Sequence, residues 1–185
     1  MEFTRKELYF LLNLPKPLWL RGIDLRNADL SGIDLTGADL KGADLRETNL
    51  QCANLANACL EQAILEKADL QNASLSVANL KGARLKGANL SGVKGKFVHM
   101  DDADITEVDL CKAELQEASF VRANLTNANL AQANLRGAIL RGAILTRTNL
   151  KETIIDSDTD LADATISEEQ LSLLMSDSTV ADAAR

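Results

Sequence analysis

The chain has 185 residues, enough for one domain with a sizeable core. Apolar residues make up 46% but aromatics only 3%, so that core must be built from Leu, Ile and Ala. The net charge is −7; a single histidine and three cysteines without a CxxC pair exclude a zinc set and point to reduced thiols in a cytoplasmic protein.

Residues 1–17 read as an N-terminal capping helix. Thr4 to Glu7 has the form of a capping box, Leu8, Leu11 and Leu12 form one stripe, and Pro15 enforces the end. Acidic Glu2 and Glu7, with no small-residue cleavage pattern, do not make a secretory signal. No apolar run in the chain approaches the roughly 18 residues of a membrane-spanning helix, so no membrane partner is expected.

From residue 18 to 166 the chain repeats every five residues. Large apolar centres recur from Leu25 to Ile155, 27 of them, of which 22 are Leu. Two residues before the centre, 19 of the 27 are Ala, and the residue between is mostly Asp or Asn. On a helix, steps of five would spiral the leucines around the axis. On a straight strand they would alternate between faces. The spacing therefore predicts short strand-like walls carrying Ala and Leu inward, with a corner between successive walls. Nine of the ten glycines fall two residues after a centre, where a corner needs a relaxed backbone. Asp or Asn before the centre suits side-chain hydrogen bonds to turn amides.

Tandem A(D/N)LXX, as in ADL at 28–30 and ANL at 123–125, resembles the pentapeptide-repeat proteins. The resemblance implies an all-β solenoid: a right-handed quadrilateral β-helix with twenty residues per coil. It would have about seven coils and a length of roughly 34 Å at the ladder spacing. It is commonest in cyanobacterial proteins of unassigned role. Some relatives, the quinolone-resistance group, imitate DNA and bind type II topoisomerase (gyrase).

That mimicry needs an acidic rod, and the charge lies elsewhere. Seven carboxylates against Arg185 leave residues 158–185 at −6, residues 1–19 carry +1, and the coils between carry −2. Along the axis the charge segregates. No acid occurs from 70 to 100, where Lys81, Arg84, Lys86, Lys94 and Lys96 lie. Residues 101–117 then hold seven acids against Lys112. Adjacent coils would pair these belts, Arg84 with Asp104 for example. Alternatively Lys81, Arg84, Lys86, Lys94, Lys96 and His99 form a surface for a protein partner. Nucleic acid would need a longer basic stripe with stacking aromatics, so no direct nucleic-acid binding is expected.

The repeat breaks at SGVKGKFVHM, residues 91–100, where Gly95 stands for the leucine. An unfilled void there would cost about 2–5 kcal/mol. Either the Phe97 ring turns in or the wall pulls in, with help from Val93 and Val98. The other reading is a partner pocket lined by Lys94, Lys96 and His99.

After Ile155 the frame slips by one, to Leu161 and Ile166. Residues 167–185 are then a C-terminal helix and flexible tail. Ser167 to Gln170 forms a capping box, Ile166 staples to Leu171, and Leu174 and Met175 extend the apolar face. This helix is expected as a lid on the core. Together with the outward Ile139, Ile144 and Ile154 it is also a candidate end interface, giving a monomer or a C-terminal-end dimer. The gyrase-directed relatives imply the dimer.

His99 has no catalytic companion in the sequence, and LKGANLSG, residues 85–92, lacks the ending of a phosphate loop. The sequence thus predicts a non-enzymatic protein-interaction module without cofactor or metal, its partner open. A gyrase-binding DNA mimic is the alternative.

Overall fold

The structure, a computed structural model, describes Phe10, Asn13 and residues 15–177. Each five-residue unit divides into a three-residue wall and a two-residue corner. The corner closes on a hydrogen bond from the Ala amide back to the preceding centre, as in Ala28 N to Leu25 O at 3.1 Å and Ala38 N to Leu35 O at 3.0 Å. The second corner residue lies at φ between +56° and +68°, as in a type II turn. Glycine is the residue at ease there, yet among the described residues nineteen non-glycine ones hold the same φ. The next coil helps hold them: the Asn27 amide donates to Arg46 O at 3.1 Å and the Glu47 amide to Glu66 O at 3.0 Å.

Bridges run parallel from residue i to residue i+20, so four units complete one turn. This is the expected right-handed quadrilateral β-helix. Each wall is bound in both directions: Leu25 N donates to Asp44 O, and Asp44 N donates to Ile23 O, both at 2.8 Å. Four outward columns result. The first face carries Asp24, Asp44, Ile64 and Arg84 upward, and the second begins at Asp29. The third begins at Asp34 and the fourth at Trp19.

Inward, the leucines from Leu18 to Leu150 are at most 3% exposed, and the centres stack in columns at a spacing of twenty residues, in which Met100, Ile105 and Phe120 take leucine places. Burying each such side chain is worth about 1.5–3 kcal/mol, and only stacking neighbours can do it. Phe120 takes a leucine place and is fully buried. Thr48, Thr148 and Thr153 occupy the alanine column. Their hydroxyls donate to the carbonyls of Leu25, Leu125 and Leu130 at 2.8–2.9 Å, which makes a polar group tolerable inside.

The frame slip lengthens the last coil. Ile139 bridges Asp160 and Ile144 bridges Thr165, a spacing of 21. Helix α1 follows at Glu168–Asp177. Its capping box forms in both directions: Gln170 N donates to Ser167 Oγ at 3.2 Å, and Ser167 N to Gln170 Oε1 at 3.1 Å. Leu174 is 2% exposed, sealed into the core. The expected capping box at Thr4, the stripe Leu8, Leu11 and Leu12, and the flexible tail beyond residue 177 lie outside the described residues.

Candidate interaction surface

The outward Asp and Asn carry out turn chemistry first. Along the second face the side-chain oxygens of Asp29, Asn49, Asp69, Asn89 and Asp109 accept from the amide two residues on, at 2.9–3.2 Å. The same column is sewn coil to coil. Asn49 Nδ2 donates to Asp29 at 3.0 Å, Asn89 to Asp69 at 3.1 Å, and Asn129 to Asp109 at 2.9 Å. Asn over Asp pairs donor with acceptor where Asp over Asp would repel.

Charges at the corners pair in the same axial direction. Arg122 grips Asp102 through two bonds of 2.7 and 2.9 Å, and this hydrogen bonding holds the Asp102 carboxyl below the usual aspartate range. Lys86 lies 3.5 Å from Glu107 and Lys96 3.4 Å from Glu117. These pairs join the basic coil to the acidic one above it. Arg84 departs from expectation. Its neighbour in the ladder is Asp104, but its guanidinium turns back to Glu66 at 2.5 Å. Asp104 is engaged by the amide and hydroxyl of Thr106, at 3.1 and 2.7 Å.

All six candidate basic residues are exposed, and they do not share a face. Lys94 stands on the third face, Lys96 on the corner after it and His99 on the fourth face. Lys81 follows on the next corner, Arg84 is on the first face, and Lys86 is on the corner beyond. They form a belt around one coil, from which a single partner meets one side. Lys94, Lys96 and His99 make up one such side. Neither the Lys94 ammonium nor the His99 imidazole has a hydrogen bond or ion pair among the described residues.

Of the two repairs expected at Gly95, the inward turn of Phe97 is overturned. Phe97 occupies a corner at φ +60°, its ring is exposed, and Lys96 Nζ lies 4.7 Å from the ring centroid. The corner geometry aims its side chain away from the axis. The interior at Gly95 is closed by the next coil and by the following wall of its own: a β-carbon there would meet Leu115 Cδ2 at 3.0 Å and Val98 Cγ1 at 3.3 Å. Directly below Phe97, Val77 holds the matching corner at φ +61° and is also exposed. In sequence, Val77 is marked only by its place twenty residues, one coil, before Phe97.

The described residues of the candidate end interface do not share one face. Ile139 and Ile144 are exposed but stand on the fourth and first faces, while Ile154 is half-buried on the third. Leu174, proposed for that interface, is instead buried under α1, where its apolar side chain closes the last coil. Leu171 is half-buried, and the Met175 side chain lies outside the described ones. Gln170 Nε2 donates to the carbonyls of Leu145 and Thr148, both at 2.9 Å, so the helix also satisfies open ends of the ladder. An open groove beside it is lined by Thr146, Thr165, Ile166 and Leu173. Among the described residues no cluster of three His, Cys, Asp or Glu could hold a metal, and no helix is long and apolar enough to cross a membrane.

A family model described as pentapeptide repeats matches in eight copies, over residues 28–66, 53–92, 103–142 and 118–156. No curated protein sequence matches. Among solved structures, the chain is similar to full-length QnrB1, a plasmid-mediated fluoroquinolone resistance protein. The match has TM-score 0.62 and 20% identity over 83% of this chain and 86% of that one. At that identity the likeness is one of fold. HetL, a pentapeptide repeat protein involved in heterocyst differentiation regulation from the cyanobacterium Nostoc sp. strain PCC 7120, is 25% identical. It covers 95% of this chain and 94% of its own, with TM-score 0.43. Rfr23, from the cyanobacterium Cyanothece 51142, is 30% identical over 77% and 86%, with TM-score 0.31.

Proposed function

The chain belongs to the pentapeptide-repeat family, and from that premise we propose that it is a non-enzymatic rod that binds a protein partner at its basic coil. The observation that carries this reading is the division of labour between inside and outside. The interior is packed with leucine and alanine, and most outward carboxylates already bind turn amides or cations of a neighbouring coil. Against that background the exposed side chains of Lys81, Arg84, Lys86, Lys94, Lys96 and His99 form a belt on an acidic protein, and part of it is unpaired. Such a belt steers and orients an acidic partner.

The test is capture from cell extract, compared between the native chain and a variant with Lys81, Arg84, Lys86, Lys94 and Lys96 changed to Gln. The native chain is expected to retain a partner that the variant releases. Equal retention by both overturns the belt as the contact surface.

A second reading, a DNA mimic that binds type II topoisomerase (gyrase), draws on the QnrB1-like fold and the net charge of −7. The columns argue against it: the first face runs Asp, Asp, Ile, Arg, Asp, Asn, Ile, with no uniform sign. Gyrase supercoiling and its quinolone sensitivity, left unchanged by a molar excess of the protein, would remove that reading.

A further inference from the structure

We propose that the corner bearing Val77 and Phe97 is a docking site for a protein segment that carries acidic side chains around one large apolar anchor. The proposal rests on the protein-interaction reading above and narrows it to one edge of two coils. Val77 N donates to Lys96 O at 3.0 Å, so the two corner residues stand one above the other in successive coils. They are 49% and 40% exposed. At the equivalent positions the chain otherwise uses Gly or Cys52 and side chains such as Asn57, Gln62 and Glu117. A β-branched residue and a phenyl ring are the ones least suited to a left-handed backbone. Their exposed surface adds little to the core. Neither backbone preference nor burial explains two such residues in succession, and outward recognition does.

Charge identifies the occupant. On the third and fourth faces and the corner between them, residues 54–59, 74–79 and 94–99 contain no carboxylate. Lys94, Lys96 and His99 line the upper part of this area. The patch is therefore opposite in sign to the chain as a whole. Lys94 is free to bind a carboxylate. Lys96 sits on the Phe97 ring and reaches Glu117 at 3.4 Å, an exposed pair that a partner's carboxylate can replace. An exposed phenyl ring beside cations offers an apolar contact and a charge complementary to an acidic segment. A polyanionic nucleic acid would use the lysines but leave Val77 idle. A membrane surface would need a larger apolar face than two side chains supply.

The probes are short fluorescein-labelled peptides: glutamate-rich with a central Trp, the same with Ser for Trp, and the same with Lys for Glu. Oligo(dT) and phosphatidylserine vesicles serve as competitors. The glutamate–Trp peptide is expected to bind in a salt-sensitive way. Loss of the Trp, or the double change Val77→Asn/Phe97→Asn in the protein, should weaken it about tenfold or more. Thermal melting of that double variant should be no lower than that of the native chain, which separates lost contact from lost fold. Failure of the glutamate–Trp peptide to bind overturns the proposal. So does equal binding by the Ser peptide or by the double variant, or more effective competition by oligo(dT) or vesicles. Self-association that the double variant abolishes would replace the acidic segment with a second copy. A cellular partner held equally by the native chain and the double variant removes this site but leaves the wider reading intact. A native chain that retains no protein at all removes the wider reading.

Discussion

Asp156 Oδ1 accepts the amide of Gly137 at 2.9 Å, in the place that a backbone carbonyl fills lower in the same corner column. There the Phe97 amide binds Gln116 O at 3.0 Å and the Glu117 amide binds Arg136 O at 2.9 Å. The side chain thus substitutes for main chain at the point where one extra residue enters the last coil. The same oxygen also accepts from Asp158 N and from Thr159 Oγ1, at 3.2 and 3.0 Å. Burial raises the Asp156 pKa, but the Gly137 amide and the Thr159 hydroxyl outweigh it, so the carboxyl sits below the usual range.

Removing that oxygen should loosen the end of the rod. Asp156→Ala is expected to destabilise the chain by about 1–3 kcal/mol, because it strands the Gly137 amide. Asp156→Asn, which keeps one acceptor oxygen, should cost less. Chemical denaturation of both variants checks the order, and an Asn variant as damaging as Ala would refute the account.

At Gly95 the leucine of the repeat is missing without leaving its place open. Leu115 and Val98 already stand within 3.3 Å of where a β-carbon would go. Restoring the repeat with Gly95→Leu is therefore expected to destabilise, by about 1–3 kcal/mol, as overpacking does. Gly95→Ala asks Leu115 to give way by only a few tenths of an ångström and lowers unfolded-chain entropy. It should be neutral or stabilising by up to about 1 kcal/mol. Thermal melting of the two variants decides. A stabilising Gly95→Leu would mean that the site is an unfilled void after all.

Val77 offers the reverse experiment. A β-branched residue at φ +61° carries strain of about 1–3 kcal/mol, while Asn tolerates that backbone. Val77→Asn is expected to raise the melting temperature by roughly 2–4 °C per kcal/mol recovered. A fall in melting temperature would show that the exposed valine helps the fold.

The architecture was legible because a period of five admits few backbones, and because Ala and Leu two residues apart must share a face. Corner geometry was legible only in part. Glycine marked it, but nothing local predicts that nineteen other described residues hold φ > 0, since the cross-coil bonds that support them join distant residues. The same limit explains Phe97. Its spacing from Gly95 suggested repair of the core, whereas its phase within the corner decided its direction. Arg84 turned to Glu66 instead of Asp104 because long side chains reach diagonally, a choice that column membership does not fix.

Acid should weaken the rod in a definite direction. Asp44 is held below its usual value first by the Arg46 guanidinium, Asp102 by Arg122, and Asp160 by the Ala162 amide and then Arg141. A carboxyl whose folded pKa is depressed contributes stability that is present above its unfolded pKa and disappears as pH falls through the folded one. Melting temperature is therefore expected to be level near neutrality and to fall once pH drops below the ordinary aspartate value of 3.8. Arg122→Gln should flatten part of that fall. A melting temperature that rises on acidification would contradict the assignment.

Helix α1 closes the last coil through two contacts of different kinds, and each can be removed alone. Gln170→Ala takes away one half of the capping box and the donor to the Leu145 and Thr148 carbonyls, a loss of about 1–2 kcal/mol. Leu174→Asp forces a charge into a site that is 2% exposed, and should undock the helix altogether. If α1 acts as a lid within one chain, both variants lower the melting temperature by an amount independent of protein concentration. Amide exchange in residues 168–177 then accelerates while light scattering stays at the monomer mass. A native melting temperature that climbs with concentration, and falls to a concentration-independent value in Leu174→Asp, would show instead that the helix joins two copies.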